Sequence, residues 1–219
     1  TDNGYGQHNY GSSKDIASGS ISSTTGGYIS ALYSTSYKAI TRANLFLAEL
    51  NKYEGTDISD SDKKMYEAEV KFLRAFYYLQ LYSYYGDVPL ILTPITLDTQ
   101  VQPKEASDRI FTQIQEDLNF AIANLSQIPY TESSGRATKT TAQAFKARVL
   151  IFEAYGNTGT PNNEMLTEVR DLTLQIQSKY TLSPKFESLF QDAGQKGNPE
   201  IIFSVNFLAP DNVAQWDYG

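Results

Sequence analysis

The stretch AEVKFLRAFYYLQLYSYYGDVPL, residues 68–90, decides the fold. Up to Tyr85 it holds no glycine or proline, and from Phe72 on apolar or aromatic side chains ring almost its whole circumference. That is the pattern of a helix buried on more than one side. Gly86 stands where a helix ends on a left-handed residue, and Pro89 keeps the following segment extended or turning. Upstream, Ser59, Asp60, Ser61 and Asp62 offer capping oxygens and negative charge at a helix start. Met65, Ala68 and Phe72 then make the first half one-sided, so the spacing predicts a helix from about Asp62 to Tyr85. Leu73, Tyr77 and Leu81, four residues apart, read as a buried ridge. Arg74 and Arg148 read as braces for neighbouring carbonyls or carboxylates.

On the N-terminal side, Ile29, Leu32, Tyr33, Tyr37, Ile40, Ala43, Leu47 and Leu50 recur every three or four residues and predict a helix from Tyr28 to about Lys52. Residues 1–27 are rich in Gly, Ser, Thr and Asn and read as an irregular segment, with residues 28–219 as the helical domain. On the C-terminal side, a third helix, capped by Ser107, carries Ile110, Phe111, Ile114, Leu118, Ala121, Ile122 and Leu125. A fourth runs from about Thr138 or Thr140 to Tyr155, stopped by Gly156. A fifth follows Pro161 and uses Met165, Leu166, Val169, Leu172, Ile176 and Tyr180. Phe186 to Phe190 reads as a short turn, and EIIFSVNF, residues 200–207, alternates as a short C-terminal strand does.

The helices repeat. Arg148 lies 74 residues after Arg74, and the same offset sets Ala142 on Ala68, Ile114 on Ile40 and Ala121 on Leu47. Helices one and two thus correspond to helices three and four. Stacked helical hairpins of the tetratricopeptide kind have this signature, and the fold class is mostly α.

Composition narrows the chemistry. A formal charge of −7 argues against a nucleic-acid partner, which requires clustered Lys and Arg. With no cysteine there is no disulfide, thiolate nucleophile or Cys-ligated metal. No P-loop, G-x-G-x-x-G, H-E-x-x-H or G-x-S-x-G is present. The one histidine, His8, sits in the irregular segment. Asp57, Asp60 and Asp62 look like a piece of a calcium loop, but position six is Asp62 where glycine is needed and position twelve is Ala68 where glutamate is needed. Helix capping accounts for them. No cofactor, metal or catalytic residue is expected.

What remains is aromatic and amide chemistry in loops. Sixteen tyrosines against one tryptophan is the most unusual feature of the composition. A sugar is held by a ring against its C–H face and by amides or carboxylates on its hydroxyls. Two stretches carry those groups: one with Asn212, Gln215, Trp216 and Tyr218, the other with His8, Asn9 and Tyr10.

The stretch at 68–90 also resembles the signature of the SusD/RagB-like family, roughly A-E-x-x-F-L-R-A-x-x-Y-x-x-L-x-x-x-Y-G-D-V-P-L. YKAITRANLFLAEL (37–50), GRATKTTAQAFKARVLIF (135–152) and NPEIIFSVNF (198–207) match in the family's order. The resemblance implies a helical scaffold of tetratricopeptide-like pairs, lipid-anchored on the outer surface of an outer membrane. It also implies non-catalytic binding of glycans, or in some branches peptides, as a lid on a SusC-like TonB-dependent transporter. It further implies a lipidated cysteine before residue 1 and a C-terminal half after residue 219. Two other classes stay open from the residues: a stand-alone tetratricopeptide scaffold binding a protein segment, and an α-helical glycosidase, which reducing-end release would reveal.

Overall fold

Six α-helices form among the residues that the structure, a computed structural model, describes (10–128, 135–156, 159–190 and 198–205). They are α1 (Ser13–Ser18), α2 (Tyr28–Lys52), α3 (Asp60–Tyr85), α4 (Ser107–Asn124), α5 (Lys139–Tyr155) and α6 (Asn163–Gln177). Helix α1 lies within the stretch read as irregular. The end signals of the longer helices work largely as the sequence suggests. Asp60 and Asp62 occupy the first turn of α3, and Gly86 ends it at φ 66° with its N–H on the Tyr82 carbonyl. Thr138 caps α5 by accepting from the Thr141 N–H at 3.2 Å, and Asn162 caps α6 through the N–H groups of Glu164 and Met165. Ser107 is not a cap. The Ala106 carbonyl accepts the first α4 bonds, and the Ser107 N–H donates to the Asp87 carboxylate at 2.9 Å.

The chain divides into two compact units, residues 1–59 with 73–117, and residues 60–72 with 118–219. In the first, α2 and α3 run antiparallel: Tyr33 meets Tyr85 while Asn44 meets Arg74. Among the described residues, the segment after Gly86 pairs with another extended residue at an isolated bridge between Val88 and Glu105. Side chains satisfy three further backbone groups of the segment, at Pro89 and Ile91. Tyr37 donates to the Pro89 carbonyl, Asn44 and Tyr78 to the Ile91 carbonyl, and the Ile91 N–H donates back to the Tyr78 hydroxyl. Arg74 sits at the centre of the unit. It bonds Asp117 through Nε and Nη2 and Asn44 through Nη1, so its buried charge is fully paired.

The second unit repeats the device with other residues. Lys146 on α5 donates to Asn119 on α4 at 2.7 Å and pairs with Glu168 on α6. Helices α5 and α6 are antiparallel, with Gln143 bonding Gln175 near one end and the Asn162 N–H on the Ala154 carbonyl at the other. Phe72 is 1% exposed, with Phe145 at 5.6 Å and Phe203 at 5.9 Å between ring centroids. The repeat-matched residues Ile40, Ile114, Ala68 and Ala142 are all completely buried. Antiparallel pairs α2/α3 and α4/α5 are the tetratricopeptide-like hairpins.

Three expectations are corrected. Residues 200–205 form no strand, because the segment is spent on helices: Ile202 accepts from Thr141 and Phe203 packs on Phe72. Leu73 is 46% exposed while Leu81 is fully buried. A row of every fourth residue drifts about 40° per step on a helix of 3.6 residues per turn, so the Leu73–Tyr77–Leu81 row starts at solvent and ends in the core. Arg74 is the expected brace, but Arg148 is exposed and has no ion pair or hydrogen bond among the described residues.

Candidate functional site

Of the side chains that the sequence nominates for binding, His8, Asn9, Asn212, Gln215, Trp216 and Tyr218 lie outside the described residues. Tyr10 is described and is 70% exposed. It opens the 3-10 turn Tyr10–Ser12, which leads into α1. Two glycines fix this turn against α2. A Cβ on Gly27 would lie 2.3 Å from the Gly11 carbonyl carbon, and a Cβ on Gly11 would lie 2.7 Å from the Tyr28 ring. Both have positive φ, so only glycine closes the loop this tightly. The closure brings Tyr10 within one residue of the contact with the Tyr28 ring, itself 52% exposed.

Further along α2, Tyr33 lies 4.8 Å from Tyr37 and 5.2 Å, edge-on, from Tyr85. Two hydroxyls of this cluster are tied to the backbone. Tyr85 donates to the Ile29 carbonyl and Tyr37 to the Pro89 carbonyl. Burial is the main cause that pushes the Tyr37, Tyr78 and Tyr85 hydroxyls above the ordinary phenol range, so they remain protonated donors at neutral pH. Upward displacement makes these phenols weaker acids, so less reactive phenolate is present at neutral pH.

Two populations of tyrosine result. Tyr37, Tyr78 and Tyr85 are struts whose hydroxyls bond to the backbone. Tyr10, Tyr28, Tyr33 and Tyr84 turn 70%, 52%, 36% and 71% of their surface to solvent. Tyr28, beside Gly11, and Tyr33, backed by Tyr37 and Tyr85, present apolar faces with little conformational entropy left to lose, which suits stacking against a sugar ring. The sequence reading missed Tyr28 and Tyr84 and placed Tyr33 on the buried stripe. The signal was the tyrosine count in a helix whose buried face needs only Ser36, Ile40, Ala43, Asn44 and Leu47. Among the described residues there is no group of three or more His, Cys, Asp or Glu able to hold a metal. No helix among them is long and apolar enough to cross a membrane.

Residues 4–151 match the family model described as SusD-like, "Starch-binding associating with outer membrane". SusD-like protein P25 of Formosa agariphila is similar at 28% identity over 213 residues, 96% of this chain and 37% of that protein. Among solved structures, a laminarin-binding SusD-like protein superposes with a TM-score of 0.76 at 24% identity, covering 89% of this chain and 41% of that one; at that identity the likeness shows the fold. A crystal structure with xylogluco-oligosaccharide superposes with a TM-score of 0.71 at 27% identity, covering 82% of this chain and 35% of the other. The chain therefore spans well under half the length of these proteins.

Proposed function

The chain belongs to the SusD-like family, and from that premise we propose that the protein binds glycans at the outer face of an outer membrane without transforming them. It passes them to a SusC-like TonB-dependent transporter, and a lipid anchor outside residues 1–219 holds it at the surface. The observation that carries this reading is the match of residues 4–151 to a family described as starch-binding and associated with the outer membrane. The exposed tyrosines around the start of α2 add chemical support. They offer aromatic faces to a sugar and, in their hydroxyls, hydrogen-bonding tips. Trp216, Tyr218, Asn212, Gln215, His8 and Asn9 bring the same chemistry at the two ends of the chain, and with Tyr10 they are the proposed ligand-binding residues.

The test uses the full-length protein in native gels cast with soluble starch, laminarin or xyloglucan. At least one polysaccharide is expected to retard migration, with no new reducing ends in the gel. Retardation by none of them, with recovery as a free monomer from mildly solubilised outer membranes, would remove both the ligand class and the transporter partner. Saturable capture of a peptide with no glycan binding would favour the peptide-binding alternative.

A further inference from the structure

Resting on the glycan-binding reading, we propose that Tyr28 stacks on a sugar through one open ring face, and that Gly11 and Gly27 are the positioning residues that hold the ring for it. The first turn of α2 packs closely on the turn Tyr10–Ser12. A Cβ on Gly11 would lie 2.8, 2.7 and 2.8 Å from Cδ2, Cε2 and Cζ of the Tyr28 ring. An atom arriving in the ring plane would meet Cε2 well before its two neighbours. Near-equal distances to three consecutive ring carbons therefore put Gly11 over the face of the ring. With that face covered, the 52% exposure of Tyr28 falls on the opposite face and the rim. The ring is open on one side, so it takes one sugar against it and cannot be sandwiched between two.

The fold makes no polar use of Tyr28. The hydroxyls of Tyr37, Tyr78 and Tyr85 donate to backbone carbonyls, whereas that of Tyr28 has no hydrogen-bond partner among the described residues. It is left to bond a sugar hydroxyl while the ring face meets the C–H groups of a pyranose. Gly27 makes the arrangement possible. A Cβ there would fall 2.3 Å from the Gly11 carbonyl carbon and 2.4 Å from its oxygen, backbone atoms that cannot rotate aside. Both glycines have positive φ, so a side chain at either is strained as well as crowded. A ring clamped before the ligand arrives loses little freedom on binding, and a single platform gains affinity that way. Tyr84 is more exposed, at 71%, but no ring or hydrogen-bond partner among the described residues holds it.

The test titrates the full-length protein with starch, laminarin and xyloglucan oligosaccharides and continues with the series that the wild type binds most tightly. Tyr28→Ala should weaken that binding at least about fivefold with the melting temperature nearly unchanged. Tyr28→Phe, which keeps the face, should recover most of the loss. Gly11→Ala and Gly27→Ala should each weaken binding at least about threefold. In the Tyr28→Ala background they should add little, because the glycines act through the ring. Hydroxyl-radical footprinting of the unmutated protein needs no variant to fold: saturating oligosaccharide should protect Tyr28 from oxidation. Unaltered affinity of Tyr28→Ala, or no protection of Tyr28, overturns the proposal and leaves glycan binding itself standing. Glycine losses that add in full to that of Tyr28→Ala overturn the positioning role. A wild type that binds none of the three series defeats the glycan-binding reading, and the role of Tyr28 with it.

Discussion

Arg74 and Asp117 form a two-bond ion pair, Nε to Oδ2 and Nη2 to Oδ1 at 2.8 Å each, with 6% and 2% of their side chains exposed. The remaining edge of the guanidinium reaches Asn44, whose amide in turn holds the Ile91 carbonyl. One charged side chain thus links α2, α3, α4 and the extended segment after Gly86.

Removing one member strands the other in the core. Asp117→Ala should destabilise the protein by about 3–5 kcal/mol in urea unfolding, the usual cost of an uncompensated buried charge. Replacing both, as Arg74→Met with Asp117→Leu, should cost less than either single change. Single substitutions that cost under about 1 kcal/mol would show that water reaches the pair.

Adjacent positions on α3 should respond very differently. Phe72→Ala deletes a ring that is 1% exposed and touches Phe145 and Phe203, for an expected loss of about 3–5 kcal/mol. Leu73→Ala acts on a side chain 46% exposed and should cost less than about 1 kcal/mol in the 219-residue chain. Equal losses would contradict the orientation of this helix.

The contrast shows which features the sequence carries. Helix ends were legible where a single residue type has a local duty: Gly86 at positive φ, Thr138 at the start of α5, Gly156 after it. Leu73 was misjudged because a four-residue row is only locally a face. Helix α1 went unseen since six residues among Ser and Gly carry too little periodicity to register. The alternation in EIIFSVNF is a strand signal only if a partner strand exists, and here Thr141 and Phe72 engage the segment instead. At the site, tyrosine abundance was visible, but the division into struts and open faces depends on which carbonyls lie within reach. Pro89, Ile91 and Ile29 are brought there by the tertiary fold.

Alkaline pH should probe the struts. Burial raises the Tyr37 and Tyr78 pKa values above the ordinary value of 10.0, so the folded state holds these protons more tightly than the unfolded chain does. The associated stability is complete below about pH 10 and is lost as pH rises beyond it. Melting temperature should therefore be flat from pH 7 to about 9.5 and fall above that. Tyrosinate absorbance should show the exposed phenols titrating first and the remainder together with unfolding. Complete titration of all tyrosines in a still-folded protein would contradict their burial.

The N-cap of α5 is a smaller, cleaner test. Thr138 is 1% exposed and accepts from the Thr141 N–H, so Thr138→Ala should cost about 1–2 kcal/mol and Thr138→Ser distinctly less. Equal losses would assign the effect to the Thr138 methyl group.

Glycan binding without turnover is the central claim, and calorimetric titration of the full-length protein with starch, laminarin and xyloglucan oligosaccharides tests it most directly. Saturable heat is expected with at least one series, with the sugar recovered at unchanged length. Trp216→Ala or Tyr10→Ala should weaken that binding at least about fivefold, roughly 1 kcal/mol of aromatic contact, while the melting temperature stays nearly constant. No saturable binding to any series, or shortened sugar in the recovered ligand, would contradict the account.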